Sequence, residues 1–229
     1  MSAPIHAFID IGSTLIDGPA IGPARWLCGE LGVAPEYLPR LTTLLFTTEF
    51  SDADELASRI VAEFATDSER TRDRVRALWD SQRGDAYCLD GAEEMLSRLE
   101  AAGIAIAYVS NIWQPFFEGF ERCLPRWADR YPGFLSYRLG TSKPGVEIYR
   151  RALEATGCPA ERAIMIGDTY ENDIAPAREL GMKSVWLLHR PQKERKELVG
   201  VLNGRLPRPD LTLASVADLR PDHLRGLFP

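Results

Sequence analysis

Residues 4–17 read Pro4-Ile5-His6-Ala7-Phe8-Ile9-Asp10-Ile11-Gly12-Ser13-Thr14-Leu15-Ile16-Asp17. An apolar run ends in a carboxylate and enters a turn that contains Gly12 and Ser13. Short apolar runs closed by turn residues suit strands buried on both faces, as in a parallel sheet. The pattern recurs downstream. Residues 104–109 run apolar into Ser110-Asn111, 163–166 into Gly167-Asp168, and 184–188 make a further run. Residues 134–139 are expected as a short strand. Helical spacing fills the intervals: a helix capped by Asp90 with Met95, Leu96 and Leu99, another over 145–156, and a third over 171–180. Glycines 103, 157 and 181 stand at their ends. Strands alternating with helices predict an α/β fold, a doubly wound parallel sheet.

Residues 20–83 follow a different rule. Leu38, Leu41, Leu44 and Leu45 repeat at helical spacing, as do Ile60, Val61 and Phe64, then Val75, Leu78 and Trp79. Ser51 starts its helix as in a capping box. Four amphipathic segments in a row predict a small helical bundle inserted after the first strand. The expected division is an α/β core of residues 1–15 and 89–229 with a helical cap of 16–88. The charged, proline-containing stretch 190–210 is expected as a surface loop or loose helix.

The chain has 229 residues, 45% hydrophobic and 26% charged, enough for a substantial core. Lys and Arg number 27 against 33 Asp and Glu, a net charge of −6 without a basic stripe, which argues against nucleic acid as a partner. No apolar run approaches the roughly 20 residues of a membrane span, and the N-terminal residues do not read as a secretory leader. Cys28, Cys88, Cys123 and Cys158 lie at no chelating spacing, so reduced thiols and a cytoplasmic location are expected. Histidines are His6, His189 and His223, and the first 142 residues contain no lysine. The oligomeric state is not readable.

Ligands of open parallel sheets sit at the carboxyl ends of the strands. Asp10, Ser110 and Asp168 close the first, second and fourth expected strands, and Thr141-Ser142-Lys143-Pro144 precedes a helix. Each has an ordinary reading: Asp10 as a turn cap, Ser110 as a turn hydroxyl, Lys143 as a solvated loop cation, Asp168 and Asp173 as helix caps. Together they suit one chemistry. Two carboxylates at neighbouring strand ends offer hard oxygens to Mg²⁺. That ion would neutralise a phosphoryl group and align it with a carboxylate nucleophile. Lys143 and Ser110 would stabilise oxygens that gain charge.

These residues resemble the haloacid dehalogenase-like hydrolase superfamily over nearly the whole chain. The family's Asp-x-Asp-x-Thr motif stands as Asp10-Ile11-Gly12-Ser13-Thr14, its Ser/Thr motif as Ser110, its Lys motif as Lys143-Pro144, and its GDxxxxD motif as Gly167-Asp168 through Asp173. The helical insert resembles the family's type 1 cap. The resemblance implies Asp10 as nucleophile and Lys143 as its catalytic partner. Mg²⁺ would be held by Asp10, the backbone carbonyl of Gly12 and Asp168, with support from Asp173. Ser110, the N–H of Asn111 and Lys143 would bind the phosphoryl group of a small phosphorylated metabolite.

Position 12 departs from the family pattern. Family phosphatases carry an acid–base Asp there, and this chain has Gly12. General acid–base help is worth about 10²–10⁴-fold, so substrates with good leaving groups are expected. Asp17, Tyr170, Glu171 or a cap carboxylate stand as replacements. Two further readings stay open: a metal-independent haloacid dehalogenase-type hydrolase, and a catalytically weak member that binds a metabolite or protein. A Schiff-base mechanism on a cap lysine is excluded, because the cap has none. Trp113, Phe116 and Phe117 either line the substrate pocket or pack in the core. Trp26 and Trp79 are expected in the bundle core, Arg25 in solvent, and His189 in a structural role.

Overall fold

The computed structural model describes residues 4–228. The strands are β1 (His6–Ile9), β2 (Ile16–Asp17), β3 (Tyr87–Cys88), β4 (Ala105–Ser110), β5 (Gly133–Leu135), β6 (Ala163–Gly167), β7 (Lys183–Leu187) and β8 (Leu211–Leu213). Six form one sheet in the order β5-β4-β1-β6-β7-β8, every neighbour parallel. The helices are α1 (Pro23–Leu31), α2 (Leu38–Thr47), α3 (Ala53–Phe64), α4 (Ser68–Gly84), α5 (Ala92–Ala101), α6 (Gln114–Cys123), α7 (Pro125–Ala128), α8 (Ser136–Leu139), α9 (Glu147–Thr156), α10 (Ala175–Glu179), α11 (Arg195–Leu202) and α12 (Pro221–Arg225).

The period-two alternation of the strands divides the core between two faces. Ala7, Ile9, Ile106, Tyr108, Ile164 and Ile166 point to one face, where Met95, Leu96 and Leu99 of α5 and Phe120 of α6 cover them. Phe8, Ala107, Val109 and Met165 point to the other, against Ile148, Tyr149 and Ala152 of α9. The sheet is therefore covered on both sides, as in doubly wound folds.

Helices α1 to α4 bury a separate cluster that contains Leu27, Leu41, Leu45, Leu56, Ile60 and Val75. The two-stranded antiparallel ribbon β2–β3 stands where the chain enters and leaves this helical segment. Trp113, just after β4, belongs to the helical cluster. Its ring meets Trp79 edge-on at 5.9 Å, and its Nε1–H donates to Gln82 Oε1 at 3.1 Å.

Several elements differ from the sequence expectations. The run 134–139 is a strand only to Leu135, and Ser136–Leu139 turns into helix α8. Asp90 does not cap α5; Gly91 holds that position at φ 81°. Asp52 rather than Ser51 caps α3, accepting from the N–H groups of Asp54 and Glu55. The 171–180 helix begins as a π-helical turn, Tyr170–Ile174. The 190–210 stretch contains the helix α11, and β8 follows it.

Ile60 is fully buried in the helical cluster. Ile60→Ala is expected to lower stability by about 2–5 kcal/mol, through lost transfer energy and the remaining cavity. Denaturant unfolding monitored by circular dichroism measures this.

Candidate active site

The central strand β1 delivers Asp10 to the carboxyl edge of the sheet. The Asp10 N–H donates to Ile166 O at 2.9 Å, which prolongs the β1–β6 pairing to the carboxylate itself. On one side β4 ends in Ser110, and on the other β6 ends in Gly167, followed by Asp168. Parallel pairing thus aligns three polar residues that are distant in sequence.

Lys143 closes the group. Its side chain is 2% exposed. The ammonium donates to Asp10 Oδ1 at 2.8 Å, Asp173 Oδ1 at 2.6 Å and Val109 O at 3.0 Å. All three donors are satisfied. Burial alone would lower the lysine pKa, but Asp10 and Asp173 outweigh it and hold the ammonium above its ordinary value. Asn111 fixes the lysine backbone from both sides: its Nδ2 donates to Lys143 O, and the Lys143 N–H donates to its Oδ1, both at 2.7 Å.

Oxygens of Asp10, Asp168 and Asp173 all lie within 4.8 Å of one another. Burial, then Asp10 and Asp173, push the Asp168 carboxyl up to about 7, against the opposing pull of Arg190. Burial also raises Asp173, against the pull of Lys143. Converging, buried carboxylate oxygens with surplus negative charge match the donor set of a hard divalent cation, and Mg²⁺ fits this arrangement. The Thr169 N–H donates to Asp173 Oδ2 at 3.0 Å. A Cβ at Gly167 would stand 2.3 Å from Asp173 Cγ, so glycine is required for this close approach. Ser110 Oγ is fully buried without a hydrogen-bond partner, although its neighbours are paired. An orphaned hydroxyl at a strand end is a donor awaiting an acceptor.

The structure brings Asp10, Lys143, Asp168 and Asp173 into one cluster, with Ser110 on the adjoining strand and Asn111 beneath the lysine. Gly12 lies in the turn after Asp10, outside the positive-φ positions. A Cβ there would rest 3.6 Å from Phe116 Cε1, an ordinary contact. Neither backbone nor space therefore demands glycine. Among the replacement candidates, Asp17 lines the adjacent cavity. Tyr170 instead donates its hydroxyl to Pro207 O at 2.7 Å, and Glu171 pairs with Lys196 at the surface.

That cavity, about 390 Å³, lies between the helical segment and the sheet edge and is lined by Ser13, Asp17, Asn111, Phe46, Trp113 and Phe116 among others. Phe116 thus faces the cavity, whereas Phe117 is buried in the sheet core. Arg25 is exposed, and Trp79 is buried in the helical cluster. One site residue escaped sequence reading. Arg190 donates to Asp168 Oδ2, and its Nη1 lies 3.5 Å from Asp17 Oδ2. Its place just past a strand end was the available signal, but the charge-rich stretch around it reads as solvated surface.

The sheet of this order thus carries a carboxylate at the end of its central strand, a buried lysine and a carboxylate trio, with a helical insert after the first strand. Residues 140–219 match the HAD-hydrolase-like family model. The chain is 33% identical over 101 residues to haloacid dehalogenase-like hydrolase domain-containing protein 3 of Xenopus laevis, covering 43% of this chain and 40% of that protein. It is 43% identical over 98 residues to a glyceraldehyde 3-phosphate phosphatase of Pyrococcus abyssi, covering 42% and 40%. The matches thus span about 40% of the length of these relatives. A HAD family enzyme of Bacteroides thetaiotaomicron superposes with a TM-score of 0.63 at 17% identity, over 81% of this chain and 94% of that one. The family match therefore rests on residues 140–219, and the fold over most of the chain is the one seen in the HAD family enzyme.

A metal held by Asp168 would compete with Arg190 for that carboxylate. A charge-assisted hydrogen bond is worth about 1.5–3 kcal/mol, so Arg190→Met is expected to tighten Mg²⁺ binding about tenfold. Calorimetric titration of the metal into both proteins checks this.

Proposed function

We propose that this chain is a Mg²⁺-dependent phosphatase of a small phosphorylated metabolite, acting in the cytoplasm through an aspartyl-phosphate on Asp10. The observation that carries the reading is the buried Lys143 ammonium, shared between Asp10 and Asp173. An ammonium held against a strand-end carboxylate is placed to neutralise a phosphoryl oxygen arriving at that carboxylate. The orphaned Ser110 hydroxyl supports the same reading, because a phosphoryl oxygen supplies the acceptor that Ser110 lacks.

Asp10, Asp168 and the Gly12 carbonyl would hold Mg²⁺, with Asp173 supporting them. The ion supplies charge neutralisation and alignment of the phosphoryl group. Asp10 attacks phosphorus through the oxygen not bound to Lys143, the P–O bond to the leaving group breaks, and water later cleaves the acyl phosphate. Lys143 holds Asp10 in orientation throughout, and the Asn111 side chain fixes the lysine backbone. The aromatic side chains on the cavity wall exclude bulk water from the leaving group. With Gly12 in place of an acid, the leaving group departs with little proton assistance.

Phosphate release from sugar, acyl and nucleotide phosphates, with and without Mg²⁺, tests the reading. Turnover is expected only with the metal, and Asp10→Asn is expected to lower it by roughly 10⁴-fold or more. Metal-independent release of halide from 2-haloacids, without phosphate release, would contradict it. A second outcome follows from Gly12. Wild-type kcat/KM is expected to fall steeply from aryl to alkyl phosphates. Gly12→Asp should recover part of the 10²–10⁴-fold associated with acid–base catalysis, roughly tenfold or more on alkyl esters only.

A further inference from the structure

Two basic side chains line the cavity that Ser13, Asp17 and Asn111 border. Arg190 and Lys193, both on the connection between β7 and α11, are the basic residues that line it among the described residues. Phe46, Trp113 and Phe116 give the same cavity an aromatic lining. The Arg190 guanidinium is held by carboxylates on two sides, Asp168 and Asp17. Its Nε–H is buried without an acceptor. A metal on Asp168 would compete for one of those carboxylates, leaving the guanidinium with Asp17 alone, at 3.5 Å. A planar guanidinium fork suits a carboxylate or a phosphate. A neutral polyol in the same place would leave buried donors poorly satisfied.

The geometry points to Arg190, assisted by Lys193, as the seat of a second anionic group on the substrate, so the substrate class is a compact phosphate ester that also carries a carboxylate or a second phosphoryl group. This rests on the phosphatase reading of Asp10. The phosphoryl group would sit at Asp10 and Lys143, and the second anion would meet Arg190, which is bonded to Asp168 of the same cluster and lines the adjoining cavity of about 390 Å³. That volume lies near the small end for ligand sites, which favours short substrates over nucleotides. Asp17, against Arg190, keeps the guanidinium oriented when no substrate is present.

Binding of two non-hydrolysable probes in saturating Mg²⁺ tests this by calorimetry: phosphonoacetate, which carries a carboxylate, and n-propylphosphonate, which does not. Wild-type protein is expected to bind phosphonoacetate about tenfold more tightly, the equivalent of one charge-assisted hydrogen bond. Arg190→Met should abolish that preference, so that the two probes bind with equal affinity, and circular dichroism shows that the variant is folded. Lys193→Met, at an exposed position, should reduce the preference by about threefold. Equal binding of the probes by wild type, or a preference unchanged in both variants, overturns the second-anion seat and leaves the phosphatase reading standing. Failure of both probes to bind wild type overturns both. A bisphosphonate in place of phosphonoacetate distinguishes a phosphoryl from a carboxylate occupant.

Discussion

An ammonium buried to 2% exposure stays charged only where carboxylates hold it, and the rest of the site is arranged around that requirement. Lys143 arrives from a loop, yet it must meet Asp10 on β1 and Asp173 beyond β6. This fixes the loop against the sheet edge, and Asn111 supplies the backbone contacts that hold it. Two acids on one lysine leave negative charge in surplus once Asp168 is added. Arg190 offsets part of it, and burial raises Asp168 to about 7. The cluster therefore holds more negative charge than its two cations offset, and a divalent cation would relieve it.

Much of this was legible in sequence, for a physical reason. A strand buried on both faces must be continuously apolar, so the polar residue that ends it stands out. Asp10, Ser110 and Asp168 could each be located that way, and parallel pairing then placed them side by side. Lys143 was noticeable as a lysine before Pro144, immediately ahead of a helix. Arg190 carried no comparable contrast, since its neighbours include Lys193, Glu194, Arg195 and Lys196. Its role depends on the trajectory of the chain after β7, which composition does not encode. The strand β8 and the ribbon β2–β3 were missed because two or three residues give too short a period. The sequence 134–139 misled because Ser136 and Tyr137 prolong an apolar pattern after the backbone has already turned into a helix.

The glycine at position 12 and the aromatic residue above it belong together. Phe116 reaches the space beside Gly12 and also crowds Gly18, where a Cβ would stand 2.7 Å from Phe116 Cε2. One ring thus packs over the turn that follows the candidate nucleophile. It also lines the cavity, so the surface beside Gly12 is hydrocarbon. Trp113, anchored to Gln82 of α4, ties the end of β4 to the helical segment. Asn111, which holds the Lys143 backbone, and Trp113 therefore connect the sheet edge to the helical segment through one short stretch of chain.

The most direct test of the Asp10 centre is chemical trapping. Protein turning over an aryl phosphate in Mg²⁺ is quenched in acid, reduced with borohydride and mapped by mass spectrometry. Reduction of an acyl phosphate would convert Asp10, and no other carboxylate, to homoserine. Modification at a different residue, or none during demonstrable turnover, would contradict a nucleophilic Asp10 held by Lys143.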